Sequence, residues 1–308
     1  MMHLLINLTS WINSAMRFDG NRGEIIMNNI AVIPNELRDA DLKETQKVIN
    51  VLNGYGAKVF VEQRFRTKLV GASEYGIIEQ MLKYADALVV LGGDGTILNI
   101  APQAAVYGIP IVGINLGHLG FLAQVERGDY SIFEKLFSGD YAVTSCMMID
   151  ATVVKQGVEG AKFLALNDVV VTGSGKTKMI NVSASVNGTN IGSYAADGLI
   201  TATAVGSTAY SLSAGGAVLH PDLDAMIITP ICPHTLRARS TVVHGNDEVW
   251  ITPAEPYRGD VSVLIDGETR GVLENDEYIK ITKSKYRTRL IKLDDRNFFD
   301  VLREKLSD

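Results

Sequence analysis

The chain is poor in cysteine, carries no excess of positive charge and has no long apolar run. Only two of its 308 residues are cysteine, Cys146 and Cys232. They are too few for a disulfide framework and form no C-x-x-C pair, so free thiols in a reducing compartment, the cytoplasm, are expected. Neither cysteine sits in a nucleophile motif, and packing roles are expected for both. The formal net charge of −6 argues against nucleic acid or an anionic membrane as the main partner. No stretch is long and apolar enough for a membrane span. Residues 1–26 contain the run Leu4-Leu5-Ile6-Asn7-Leu8, but no basic n-region and no small-residue cleavage site. They read as a disordered extension rather than a signal peptide, which makes the Asn7-Leu8-Thr9 sequon meaningless.

Several phosphate and metal motifs are also missing. The segment Ile114-Asn115-Leu116-Gly117-His118-Leu119-Gly120-Phe121 lacks the G-x-G-x-x-G spacing of dinucleotide folds, and alone it reads as a tight interdomain turn. Thr172-Gly173-Ser174-Gly175-Lys176-Thr177 imitates the tail of a P-loop, yet Val170 stands where the first glycine belongs. A flexible turn is expected there, with Lys176 or Lys178 free to meet a phosphate. His234, in Cys232-Pro233-His234-Thr235-Leu236, has no second histidine at metal-ligand spacing. It reads as a hydrogen-bonded structural or substrate-edge residue.

What is present divides the chain in two. Apolar segments at 30–33, 58–61, 87–91 and 109–114 alternate with helical patterns. Leu42, Val48, Ile49 and Leu52 share one helical face behind a capping box at Asp41–Glu44, and Ile97 to Tyr107 reads as a helix that Pro102 could kink. This βαβ order predicts an α/β domain with a parallel sheet and a ligand site at the carboxyl ends of the strands. From about Asp150 the chain becomes rich in Val, Thr, Ser and Ile with frequent turn signals. Asn187-Gly188 between two apolar runs predicts a hairpin, and strands are expected at 260–265, 278–281 and 289–293. The second half thus reads as all-β, ending in a short helix near 297–305.

The most informative residues are Gly92-Gly93-Asp94-Gly95-Thr96, directly after the buried run Ala87–Leu91. Glycines let the backbone turn and approach a ligand, and a helix starting at Thr96 would aim free amides at a phosphate. A carboxylate repels phosphate, so Asp94 suggests a proton acceptor or a metal ligand; the plain alternative is a turn-forming Asp. Asn167-Asp168 before a strand could bind both hydroxyls of a ribose or a base edge, or form a β-turn. Gly206-Ser207-Thr208-Ala209-Tyr210-Ser211-Leu212-Ser213-Ala214-Gly215-Gly216, following Asp197-Gly198, is rich in small residues and hydroxyls. Such a run can lie against a planar ring, and its apolar interruptions argue against a linker.

Taken in order, these motifs together with Pro233-His234-Thr235-Leu236 and Asp266-Gly267 resemble the NAD kinase (ATP-NAD kinase) family, over residues 29–305. The Gly-Gly-Asp-Gly loop is shared with diacylglycerol-type lipid kinases and, more loosely, phosphofructokinases. The Asn-Asp pair and the Gly-Ser-Thr-Ala-Tyr-Ser run separate NAD kinases from them. The resemblance implies an α/β N-terminal domain with a parallel sheet and an all-β, β-sandwich C-terminal domain. The segments are then a 1–26 extension, a 27–125 nucleotide-binding domain, a 126–282 NAD-binding domain and a 283–308 tail returning to the first domain. It implies transfer of the ATP γ-phosphoryl group to the 2′-hydroxyl of the adenosine ribose of NAD, a divalent metal cation such as Mg²⁺, and a homodimer or homotetramer whose pocket borrows residues from a neighbour.

Carried onto this sequence, Asp94 would be the general base, with Gly92, Gly93 and Gly95 beside the phosphates and Asn99 as a further contact. Asn167, Asp168, Lys178, Asp197, Val205 and Glu268 would bind NAD, and Thr208, Ala209, Tyr210, Ser211, Leu212 and Ser213 would line the adenine pocket. The chain departs from the family at Thr203-Ala204-Val205 (often Thr-Pro-Thr), at Ala195 (often Arg) and at Glu268 (often Gln). The expected consequence is weaker substrate binding. Two rival readings stay open: a diacylglycerol-type lipid kinase, which the acidic composition and Asn167-Asp168 oppose, and a catalytically weak NAD(P)-binding protein.

Overall fold

The computed structural model describes residues 27–117, 119–128, 130–174, 179–235, 237–254, 260–274 and 276–307. The first part contains strands β1 (Asn29–Ile33), β2 (Lys58–Glu62), β3 (Glu74–Gly76), β4 (Ala87–Gly92), β5 (Ile111–Asn115) and β6 (Val125–Glu126), and helices α1 (Lys43–Gly54), α2 (Ile78–Tyr84), α3 (Asp94–Tyr107) and α4 (Phe133–Ser138). The strands pair in parallel, with β5, β4, β1, β2 and β3 side by side. Strand β4 is buried along its whole length, as a central parallel strand covered on both faces must be.

The second part contains β7 (Ala142–Lys155), β8 (Val158–Ala165), β9 (Asp168–Gly173), β10 (Ile180–Val186), β11 (Thr189–Ala196), β12 (Gly198–Thr203), α5 (Tyr210–Ser213), β13 (Ala225–Ile231), β14 (Thr241–His244), β15 (Val249–Ala254), β16 (Val261–Ile265), β17 (Glu268–Leu273), β18 (Glu277–Lys292) and α6 (Phe298–Lys305). Six strands form an antiparallel sheet in the order β14-β13-β12-β9-β16-β17. It packs on β7, β10, β15 and β18 through a shared apolar core that includes Met147, Ile149, Val169, Val171, Ile251 and Ile279. Two sheets closed over one core are a β-sandwich.

Strand β18 joins the two parts. It pairs antiparallel with β7 along its length and with β15 in its first half, and Leu290 near its end pairs in parallel with Ile111 of β5. One continuous sheet therefore runs from the sandwich into the α/β part. The boundary drawn at 282/283 falls inside this strand, whose register shifts between Lys283 and Arg287. The first part also reaches beyond 125, because Tyr130, Phe133 and Leu136 complete its core. A further apolar cluster spans both parts, with Ile97, Leu122 and Ala123 from one and Leu166 and Val205 from the other.

Local chemistry explains where the sequence reading held and where it shifted. Asn187 and Gly188 adopt positive φ of 49° and 79°, the conformation a two-residue hairpin turn needs. The capping expected from Asp41 comes instead from buried Asp39, whose carboxylate accepts from the amides of Glu44 and Thr45 and from the Thr45 hydroxyl. Pro102 lies inside α3 without ending it. The same helix starts at Asp94, two residues earlier than expected. Cys146 is buried, and burial pushes its thiol up to about 12; Cys232 is exposed, so packing explains only the first. Among the described residues no helix is long and apolar enough to cross a membrane.

Candidate active site

On the α/β side, the tight turn after β4 makes Asp94 the first residue of α3, with Gly93 as its N-cap. The first amides of a helix have no intrahelical partner, so those of Asp94 and Gly95 are open to an anion. The Asp94 carboxylate turns back toward the loop after β5. Its Oδ2 accepts from the amide of Phe121 at 2.8 Å, and its Oδ1 accepts from Leu122 at 2.9 Å and Ala123 at 3.1 Å. A side chain at Gly120 could not coexist with this arrangement, since its Cβ would lie 2.1 Å from Asp94 Oδ1. Three acceptor sites are engaged, which leaves roughly one of a carboxylate's four, on Oδ2. Asn99 lies one turn beyond Gly95 on the exposed face of α3.

On the sandwich side, Asn167 and Asp168 stand at the start of β9, both buried. The amides of Leu166, Asn167 and Asp168 all donate to the carboxylate of Asp266, at 2.9, 2.7 and 3.1 Å. Asp266 occupies the turn between β16 and β17 with φ 48°. Burial raises its pKa, although the three amides pull the other way. Burial, and then the charge of Asp266, lift Asp168 from 3.8 to about 7. The side chains of Asn167 and Asp168 are thus left for something other than the backbone.

The small-residue run is folded onto this pair. Thr203 donates its amide to the Asn167 carbonyl at 2.8 Å and its hydroxyl to the Leu166 carbonyl at 2.6 Å. Gly206 comes so near that a Cβ would lie 2.0 Å from the Asn167 carbonyl oxygen. Beyond it the hydroxyls divide into two groups. Ser207 is tied to Ala204 and Leu219, and Ser211 to Thr229 at 2.9 Å; both are fully buried and turned inward. Thr208, Ala209, Leu212 and Ser213 are partly or fully open, as is Tyr210, 46% exposed.

Val205 and Thr208 face Phe121 and Leu122 across a cleft that Phe298 and Val301 of α6 also line. The two sides, Asp94 through its loop and Asn167 through the Thr203–Thr208 turn, therefore meet between the domains. Asp197 is not part of this meeting point. It sits at the far end of β9, where its carbonyl accepts from Gly173 and Thr172. Glu268 flanks the Asp266 turn and pairs with Arg270 at 2.7 Å, which offsets its charge. Val205 is 7% exposed and packs in the bridging cluster. Lys178 lies outside the described residues. Phe121, the anchoring role of Asp266 and the small turn at Gly120 were missed in the sequence; the Asp266-Gly267 pair, a common turn signal, was the clue to the second.

The matches to known proteins follow this division. Residues 30–141 match the ATP-NAD kinase N-terminal domain and residues 166–293 the ATP-NAD kinase C-terminal domain. The NAD kinase of Caldanaerobacter subterraneus subsp. tengcongensis is 41% identical over 284 residues, 92% of this chain and 100% of that protein. The NAD kinase of Heliobacterium modesticaldum is 43% identical over 230 residues, 74% of this chain and 81% of that protein. Among solved structures, an Archaeoglobus fulgidus NAD kinase in complex with ATP superposes with a TM-score of 0.70 at 26% identity, covering 89% of this chain and 98% of that one. Yeast NADH kinase complexed with NADH shares the fold, with a TM-score of 0.81 at 22% identity over 92% of this chain and 89% of that one. The glycine loop of Asp94 falls within the first matched domain and the Asn167 turn within the second, and a relative 41% identical spans 92% of the chain, which belongs to the ATP-NAD kinase family.

Proposed function

We infer that this protein is an NAD kinase, transferring the γ-phosphoryl group of ATP to the 2′-hydroxyl of the adenosine ribose of NAD to give NADP. The observation that carries the reading is the placement of Asp94, a carboxylate at the N-terminus of α3 that holds the Phe121–Ala123 loop, whose Phe121 and Leu122 face Val205 and Thr208 of the Asn167 side across the cleft. Open amides and the helix dipole favour the donor phosphates at this end of α3. Asn167 and Asp168 suit ribose hydroxyls. With its pKa raised to about 7, Asp168 can serve as donor or acceptor near neutrality.

In the transfer step the 2′-oxygen bonds to the γ-phosphorus, the bond to the ADP oxygen breaks, and ADP leaves. Asp94 accepts the hydroxyl proton on Oδ2 late in the step, when the forming bond to phosphorus has acidified it. Positioning and charge neutralisation do most of the work in such a reaction. A divalent cation, Mg²⁺ by its chemistry, fits as an ion carried by the nucleotide. Among the described residues no group of three or more His, Cys, Asp and Glu side chains converges, and Asp94 is largely engaged by amides. When bound, the cation offsets phosphate charge.

A homodimer or homotetramer belongs to the same reading, supported by the open edge of β11, where Ile191 is 36% exposed. So does a cytoplasmic location, supported by two unpaired cysteines. The experiment is NADP formation from NAD, ATP and Mg²⁺, followed with an NADP-specific dehydrogenase. Formation by the folded wild type is expected. Its absence, with NADP bound tightly in calorimetry, would overturn the reading in favour of a binding protein.

A further inference from the structure

Strands β1, β4 and β5 lie side by side and parallel, so their three following loops share one end of the sheet. Two of these loops carry the glycines described above. The third, Pro34 to Asp41, is fastened to them. Asn35 donates its side-chain amide to the Thr96 hydroxyl at 2.8 Å, and its side-chain oxygen accepts from the Leu37 amide. Its carbonyl accepts from the amides of Arg38 and Asp39. The resulting turn lays the Arg38 guanidinium across both glycine loops. A Cβ built on Gly93 would lie 3.7 Å from Arg38 Cζ, and one on Gly117 only 2.0 Å from Arg38 Nη1.

Arg38 is exposed, and its acidic neighbours are committed elsewhere. Glu36 pairs with Arg64 at 3.1 Å and Lys68 at 2.9 Å. Asp39 caps α1. Among the described residues no ion pair of Arg38 is formed. An unpaired guanidinium therefore lies against Gly93, the N-cap of α3, in a protein of net charge −6, where a polyanion would need a fixed countercharge.

We propose that Arg38 binds the polyphosphate of ATP, with Asn35 as the residue that positions its loop. The proposal rests on the NAD kinase reading for its substrate. A guanidinium offers a rigid planar fork of donors pre-set to engage two phosphate oxygens at once, a geometry that the point charge of a lysine ammonium lacks. With Arg38 on one side and the α3 amides on the other, the phosphates are held between a full charge and a helix dipole. Gly117 is part of this device, because a side chain there would displace the guanidinium.

The test is steady-state kinetics of wild type, Arg38→Ala, Arg38→Lys and Gly117→Ala, varying ATP and NAD separately, with melting temperatures compared. Arg38→Ala should raise KM for ATP by about ten- to hundredfold, the worth of a charge-assisted hydrogen bond or two, with KM for NAD unchanged. Arg38→Lys should restore part of the loss, and Gly117→Ala should raise KM for ATP less than Arg38→Ala does. Inorganic triphosphate should compete with ATP in wild type and lose affinity in Arg38→Ala. An unchanged KM for ATP, or equal rises in both KM values, would overturn the proposal. If wild type makes no NADP, the function reading fails by itself. ATP calorimetry then decides on Arg38: weakened binding in Arg38→Ala sustains it and equal binding rejects it.

Discussion

The cleft has two sides, and each is built around an aspartate that gathers three consecutive backbone amides. Asp94 gathers Phe121, Leu122 and Ala123; Asp266 gathers Leu166, Asn167 and Asp168. The hydrogen bonds are alike and the surroundings are not. Asp94 opens a 14-residue helix, whose dipole favours a negative charge at that end, and the three amides leave roughly one of its acceptor sites unengaged. Asp266 sits in a hairpin turn beside buried Asp168, and its charge adds to burial in raising the cost of ionising Asp168. One arrangement in two settings thus gives different products. On the proposed mechanism, the anchoring carboxylate of the α/β domain is itself the reactive group. In the sandwich the anchor shapes the backbone, and the side chains proposed to bind the ribose are those of Asn167 and Asp168, which it presents.

The largest effect should come from Asp94. Asp94→Asn removes the base and also sets an amide N–H₂ against a backbone N–H of the 121–123 loop. We expect kcat to fall by about 10²–10⁴-fold, with a smaller rise in KM for NAD from the loosened loop. A kcat within tenfold of wild type would remove Asp94 from the proton transfer. Asp266→Ala is the matching experiment on the other side. It should cost roughly 2–5 kcal/mol in urea unfolding, because three amides lose their acceptor, and should raise KM for NAD more than it lowers kcat. If Asp266→Ala instead behaved like Asp94→Asn, losing turnover with stability intact, the two sides would not differ as argued.

The contrast was only half legible in the sequence. Asp94 announced itself because a carboxylate inside a glycine loop after a fully apolar strand has few structural uses. Asn167-Asp168 was visible as a pair of polar residues before a strand. Periodicity also gave the βαβ order and the hairpin at Asn187-Gly188, since both depend on neighbours in the chain. What stayed hidden depends on contacts between distant residues. Asp266 lies about a hundred positions from the amides it holds, Phe121 reaches the cleft only through Asp94, and β18 unites two strand signals across a register shift. The hydroxyl run carried no sign of which members turn inward, and Ser207 and Ser211 proved to be buried fastenings. Arg38 looked like one charge among many until the fold laid it over Gly93 and Gly117.

Asp168 offers a subtler test. Its pKa is about 7 in the folded protein against 3.8 for the free residue. Between those values the folded state holds a proton that the unfolded state has released, so stability falls as pH rises from about 4 to about 7. The contribution is complete below the lower value and gone above the upper, and it amounts to something on the order of 1–4 kcal/mol. Asp168→Asn cannot titrate. Its urea midpoint at pH 8 should exceed that of wild type, the pH slope should flatten, and NAD affinity should drop. Parallel slopes for the two proteins would mean that Asp168 does not titrate in this range.

The smallest effect lies in the α/β domain, where a buried carboxylate shifts the opposite way. Glu44 is 4% exposed and accepts from the Tyr130 hydroxyl at 2.6 Å, from Lys47 and from Arg127. The Tyr130 bond and the two cations draw its pKa down from 4.5 to about 2 despite burial. Stability from this group is therefore complete above pH 4.5 and is lost as pH falls toward 2. Tyr130→Phe keeps the ring between α1 and α4 and removes one charge-assisted hydrogen bond, at a cost of about 1–2 kcal/mol near neutrality. Glu44 in that variant is protonated at a higher pH, so acid unfolding should begin earlier than in wild type, while the slope between pH 5 and 8 should not change. Placed beside Asp168→Asn, this separates the two halves of the molecule: one variant alters only the acid limb, the other only the neutral one. A change in both limbs from either substitution would mean that the domains unfold as a single electrostatic unit through β18, and that the two sides of the cleft do not set their charges independently.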